Sequence, residues 1–220
     1  MFRTLGVGAV AAALVLIGSA APSSAARGGD DDVPPPTGKI TITVATVNGS
    51  GCRPGSAKVA VAPDNTAFTV TYSEYLAQAG KDSKPTDGRK NCQIALDVHV
   101  PQGFTYAIAR ADYRGYASLA AKATGLEQAG YYFQGSQQTA RLSHRFAGPY
   151  DGNWQTSDET DLDARVYAPC GEQRYFNINT ELRVDAKNAD PALTSYMAMD
   201  STDGSINTLY HFAWKKCPKR

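Results

Sequence analysis

Gln93-Ile94-Ala95-Leu96-Asp97-Val98-His99-Val100 carries an aliphatic branched side chain at every even position and a mostly polar one at the odd positions. Successive side chains of an extended strand point to opposite faces, so this period of two predicts a strand with one face in a core and the other in water. Phe176, Ile178, Thr180, Leu182 and Val184 alternate in the same way with Tyr175, Asn177, Asn179, Glu181 and Arg183. Near the C-terminus Ile206, Thr208, Tyr210, Phe212 and Trp214 alternate with Asn207, Leu209, His211 and Ala213. Weaker versions recur at 40–47, 58–61, 68–72, 104–113, 131–134, 139–146 and 163–167. About ten short strands punctuated by Gly, Pro, Asn and Asp predict an all-β fold of two antiparallel sheets, a jelly-roll-like β-sandwich. The Ala-rich residues 117–123 leave room for at most one short helix, which Thr124-Gly125 would stop.

Ahead of the patterned region the chain changes character. Met1-Phe2-Arg3 is basic, residues 5–17 form a small and aliphatic run, and Ser24-Ala25-Ala26 supplies the small residues that signal peptidase reads. Residues 1–26 are therefore expected to be a cleaved secretory signal, too short in their apolar run for a membrane-spanning helix. Residues 27–38, with Asp30-Asp31-Asp32 and Pro34-Pro35-Pro36, read as a flexible extended segment that has no apolar surface to bury. Residues 39–220 show neither a repeat nor a linker and are expected to form one domain. The whole chain of 220 residues has 22 Lys+Arg against 21 Asp+Glu, and the only charge in the leader is Arg3. A neutral exported domain has no electrostatic reason to seek nucleic acid or to insert into an anionic membrane.

Export also decides the cysteines. Cys52, Cys92, Cys170 and Cys217 are even in number and contain no C-x-x-C pair, which favours two disulfides over a zinc site or redox chemistry. Three connectivities exist; Cys52–Cys92 with Cys170–Cys217, one bridge in each half of the domain, is the favoured one.

Few residues read as chemistry. Asp97 and His99 share one strand face, but no Gly-x-Ser-x-Gly nucleophile accompanies them. His144 shares the parity of Leu142 and Phe146, which suits a partly buried, hydrogen-bonded imidazole, and His211 falls on a polar face. Asp158, Glu159, Asp161 and Asp163 form an acidic segment able to offer oxygen ligands to calcium, and Asp200 with Asp203-Gly204 forms a second. No other cofactor is expected. Gly148-Pro149-Tyr150-Asp151-Gly152-Asn153-Trp154-Gln155 reads as a loop in which Tyr150, Asp151, Asn153 and Trp154 combine aromatic faces with an amide and a carboxylate. Such a set suits sugar rings, whose C–H faces stack while their hydroxyls take hydrogen bonds. Asp112-Tyr113-Arg114-Gly115-Tyr116 repeats that mixture. The leading expectation is thus a non-catalytic extracellular module for carbohydrate or cell-wall surface. A secreted protein-interaction or inhibitor protein is the alternative, and a glycan hydrolase built on two carboxylates the third.

The order of several short motifs adds a family. Gly49-Ser50-Gly51-Cys52, Cys92, Pro101-Gln102-Gly103-Phe104, Tyr113-Arg114-Gly115-Tyr116-Ala117-Ser118-Leu119 and Tyr131-Tyr132-Phe133-Gln134-Gly135 come first. Ala168-Pro169-Cys170-Gly171, Asn177-Ile178-Asn179, Met199-Asp200-Ser201 and Trp214-Lys215-Lys216-Cys217 come after them. Together they resemble a family of small secreted bacterial and fungal proteins, domain of unknown function number 4360, from about Lys39 to Cys217. The resemblance implies secretion and a disulfide-bearing β-rich domain, and carries no activity with it.

Overall fold

The structure is a computed structural model, and it describes residues 32–136, 140–161, 165–199 and 208–219. Twelve strands occur there: β1 (Thr41–Asn48), β2 (Ala57–Val61), β3 (Ala67–Tyr72), β4 (Leu76–Gly80), β5 (Arg89–His99), β6 (Phe104–Leu119), β7 (Thr124–Phe133), β8 (Ala140–Ala147), β9 (Tyr150–Glu159), β10 (Phe176–Asp185), β11 (Thr194–Ala198) and β12 (Thr208–Lys216). Five of them form one sheet in the order β1-β5-β10-β7-β8. The other seven form the second, in the order β2-β3-β12-β6-β11-β4 with β9 along the free side of β6. All pairings are antiparallel.

The alternation in β5 and β10 does what a period of two requires. Ile94, Leu96, Ile178 and Leu182 are fully buried on the inner face of the five-stranded sheet, while Gln93, Arg183 and Asp185 face water. The inner face of the seven-stranded sheet answers with aromatics. Phe68 stacks on Tyr210 at 4.9 Å between centroids, and Phe212 packs on Trp214 at 5.0 Å. Such rings each bury a large apolar area and dominate core energetics. The two bridges join Cys52 to Cys92 and Cys170 to Cys217. Each ties down a connection that carries the chain between the sheets, β1 to β2 in one case and β9 to β10 in the other.

Three stretches depart from the sequence expectation. Residues 117–123 form no helix: β6 continues through Leu119, a turn comes next, and β7 starts at Thr124. Ala117 and Ala123 are buried, whereas Ala121 and Lys122 stand exposed in the turn. No strand forms in the described part of 163–167; residues 165–167 lack regular structure. Residues 150–155 are the start of a strand, β9, and not a loop. The leader and residues 27–31 lie outside the described residues. The described part of the segment up to 38 is extended and docked: the Val33 N–H donates to the Trp214 carbonyl at 2.9 Å, and Asn65 Nδ2 donates to the Pro36 carbonyl at 2.7 Å.

Gly115 shows how tightly β6 and β9 are fitted. A β-carbon added there would lie 2.0 Å from the Ala198 carbonyl oxygen and 2.4 Å from the Trp154 ring. Backbone cannot yield cheaply, and overpacking of this kind costs about 1–3 kcal/mol. Gly115→Ala is therefore expected to lower the free energy of unfolding in urea by that amount, and an unchanged midpoint would show that Trp154 is not seated on this strand.

Candidate functional site

Because β9 is a strand, the aromatic and polar members of the expected loop part company. Trp154 is buried, with its ring 5.5 Å from Phe146, and Tyr150 is half-buried, 6.2 Å from the same ring. Asp151 and Asn153 point the other way and are exposed on the outer face of the seven-stranded sheet. Tyr150 and Trp154 thus close the end of the core, and a sugar cannot stack on Trp154.

A different aromatic pair stands beside the two polar residues. Asn153 is in register with Tyr116 of β6, and the Tyr116 hydroxyl donates to Asp151 Oδ1 at 2.6 Å. Tyr196 of β11 lies next to Tyr116, their centroids 6.1 Å apart and their planes within 23°. Both rings are half-buried, and exposed Arg114 and Gln155 pair one row along. Donation to Asp151 raises the Tyr116 hydroxyl above its ordinary value and keeps it a donor. The result is an open aromatic platform edged by a carboxylate, amides and a guanidinium. Sequence reading found Tyr116, Asp151 and Asn153 but missed Tyr196, whose neighbourhood is created by the pairing of β11 with β6.

Farther along the same face Asp112 is a hub. It accepts from Arg110 Nε at 2.8 Å and from Ser157 Oγ at 2.5 Å, and His211 Nε2 lies 3.0 Å away. Burial opposes ionisation here, but these donors overcome it and hold the Asp112 carboxyl down at about 2. The serine donates to the aspartate and not to the histidine, so the order needed to activate a nucleophile is absent.

The inward side of the β8–β9 edge holds a second polar group. His144 Nε2 is 2.6 Å from Asp158 Oδ1, and the Tyr131 hydroxyl donates to Asp158 Oδ2 at 3.4 Å. Thr156 Oγ1 donates to Glu127 Oε2 at 3.3 Å, whereas Glu127 Oε1 has no partner among the described residues. Burial, with the nearby Asp158 charge, pushes the Glu127 carboxyl up to about 8. Burial also raises Asp158, and His144 pulls against it. With Glu127 at 0% and Asp158 at 3% exposure, no polysaccharide reaches this carboxylate pair in the folded arrangement.

The described part of the acidic segment does not converge. Asp158 points inward and Glu159 outward to Arg110 at 3.3 Å, as neighbours on a strand must. Asp161 is exposed beyond the strand end, while Asp163, Asp200 and Asp203 lie outside the described residues. Among the described residues no three His, Cys, Asp or Glu side chains gather closely enough to hold a metal ion. Asp97 accepts from Gln173 Nε2 at 2.6 Å, and His99 is exposed at the strand end.

Residues 38–217 match the family described as Domain of unknown function (DUF4360). The chain belongs to this family. A relative in Arthroderma benhamiae, an uncharacterized secreted protein, is 33% identical over 181 residues, covering 81% of this chain and 72% of its own. This member of the family is likewise a secreted protein. Among solved structures, the enzymatically active domain of bacteriophage CBA120 tailspike protein 4 aligns with 86% of this chain, which spans 22% of that one. The identity is 8% and the TM-score 0.25, too distant a likeness to bear on fold or function.

Proposed function

We propose that the protein is a non-catalytic extracellular module that binds carbohydrate or cell-wall surface through the outer face of its seven-stranded sheet. The observation that carries this reading is the adjacent, nearly parallel Tyr116 and Tyr196 rings beside Asp151 and Asn153. The half-buried, stacked pair presents apolar ring surface on which a sugar can pack, while the carboxylate and amide take hydroxyl hydrogen bonds. The platform is open along the strands, which suits a polymer better than a small closed-in ligand. The binding reading is favoured over a hydrolase because the carboxylates Glu127 and Asp158, neighbours among the described residues, are sealed between the sheets.

Pull-down on insoluble polysaccharides and a glycan array, each with and without Ca²⁺, test the proposal. Tyr116→Ala combined with Tyr196→Ala is expected to weaken binding tenfold or more, since each lost stacking contact is worth about 1 kcal/mol. No binding by the unmodified protein, or full retention by the double variant, would remove this reading. Co-purification of a protein partner from the culture medium, unaffected by that variant, would favour the interaction or inhibitor class instead.

A further inference from the structure

The opposite outer face, that of the five-stranded sheet, is assembled from residues far apart in the chain. Strand register lines them up in three rows across β5, β10, β7 and β8. The first row is Arg89, Arg183, Leu126 and Arg145; the second is Asn91, Glu181, Gln128 and Ser143; the third is Gln93, Asn179, Gly130 and Arg141. At the usual strand and residue spacings this is a patch about 15 Å on a side. Four guanidiniums face one carboxylate there, in a chain whose net charge is only +1. Glu181, nearly buried, pairs with both Arg89 and Arg183, and those partners lower its carboxyl below the ordinary value against the opposing effect of burial. Arg141 and Arg145 are exposed and have no carboxylate partner among the described residues.

Gly130 has no side chain, and the sheet surface dips there into a depression of about 250 Å³. Asn91, Gln93, Gln128 and Asn179 line it, with Arg141 at one side and the Arg89–Glu181 ion pair at the other. Gln93 Nε2 also donates to the Tyr132 hydroxyl at 3.2 Å. The chemistry is specific in kind. A guanidinium presents a planar fork that fits a carboxylate with two parallel hydrogen bonds. Primary amides donate and accept at once, as paired hydroxyls require. Two unpartnered forks among four amides suit a ligand rich in hydroxyls with widely spaced charges, not a phosphodiester chain that needs charge at every step.

We infer that this face is a binding site for acidic polysaccharide, in which Arg141 and Arg145 take the carboxylates of uronate sugars and Gln93, Gln128 and Asn179 take their hydroxyls. The site is separate from the tyrosine platform, which lies on the other side of the sandwich.

Titration calorimetry with polygalacturonate, its fully methyl-esterified form, dextran sulfate and duplex DNA tests it on the mature chain. Polygalacturonate is expected to bind, and the neutral ester at least tenfold more weakly. Arg141→Gln with Arg145→Gln should cost tenfold or more, and Asn179→Ala with Gln128→Ala should weaken binding while leaving the charge intact. Thermal unfolding of each variant checks that the exposed substitutions leave the fold in place. Tyr116→Ala should not change polygalacturonate affinity, so the two faces succeed or fail separately. Absence of binding, equal binding of the ester, or full retention by the arginine double variant would overturn the inference. Equal binding of dextran sulfate and DNA would overturn it too, by reducing the face to general attraction for polyanions.

Discussion

Replacing Cys52 and Cys92 together by serine is expected to lower the free energy of unfolding by about 4 kcal/mol, and replacing Cys170 and Cys217 by a similar amount. The bridges close sequence separations of 40 and 47 residues, and chain-entropy arguments make the loss almost independent of that small difference. A domain of this kind has about 5–15 kcal/mol in total, so either pair leaves a folded but weakened protein and both pairs together leave little. The two bridges differ in access. Cys52 and Cys92 are 2% and 1% exposed, whereas Cys170 is exposed and Cys217 half-buried. Thiol–disulfide exchange needs a path to sulfur, so graded reductant should open Cys170–Cys217 first. Urea unfolding of the serine variants and peptide mapping after partial reduction check both statements. Simultaneous reduction of the two bridges, or a change below about 1 kcal/mol, would count against them.

The second large effect is a loss of stability as pH rises. Glu127 has its carboxyl raised from 4.5 to about 8 in the folded protein. Between those values the folded chain holds a proton that the unfolded chain has released, so each step up in pH favours unfolding. Its stabilising contribution is complete below 4.5 and is lost as pH rises through about 8. At about 1.4 kcal/mol per decade of proton affinity, the whole change amounts to a few kcal/mol. Asp158, raised by burial, adds in the same direction. Asp112 acts oppositely: its contribution is complete above 3.8 and lost as pH falls through about 2. Urea midpoints measured from about pH 5 to about pH 9 should therefore decline, and Glu127→Gln should flatten the decline and exceed the unmodified protein at the alkaline end. An unaltered slope in that variant would show that Glu127 is not the group responsible.

Strands with one dry and one wet face were legible from residue order alone, as β5, β10 and β12 illustrate. Elsewhere local composition conceals the strand. β9 lies on the rim of its sheet and buries few side chains, so Gly152, Asn153 and Gln155 disguise it as a loop. β11 reverses the expected polarity, because Ser195 is fully buried and its Oγ accepts from the Ala120 N–H at 2.9 Å. Glu127 occupies an inward position of β7 that composition would assign to water. Of the expected binding residues, Asp151 and Asn153 reach the outer face, while strand parity sends Tyr150 and Trp154 into the sandwich. Neither Tyr196 beside Tyr116 nor the arginine rows can be read from one segment, since only inter-strand register brings them together.

Arg141 and Arg145 also sit where the sheet ends. β8 is the last strand of its sheet, and the backbone donors and acceptors along its free side form a template to which another chain can add. Two exposed like charges on that strand repel an identical strand laid against it. The same guanidiniums that face an acidic ligand therefore guard the protein against sheet-to-sheet aggregation, and neutralising them, by substitution or by a bound polyacid, leaves that rim unprotected.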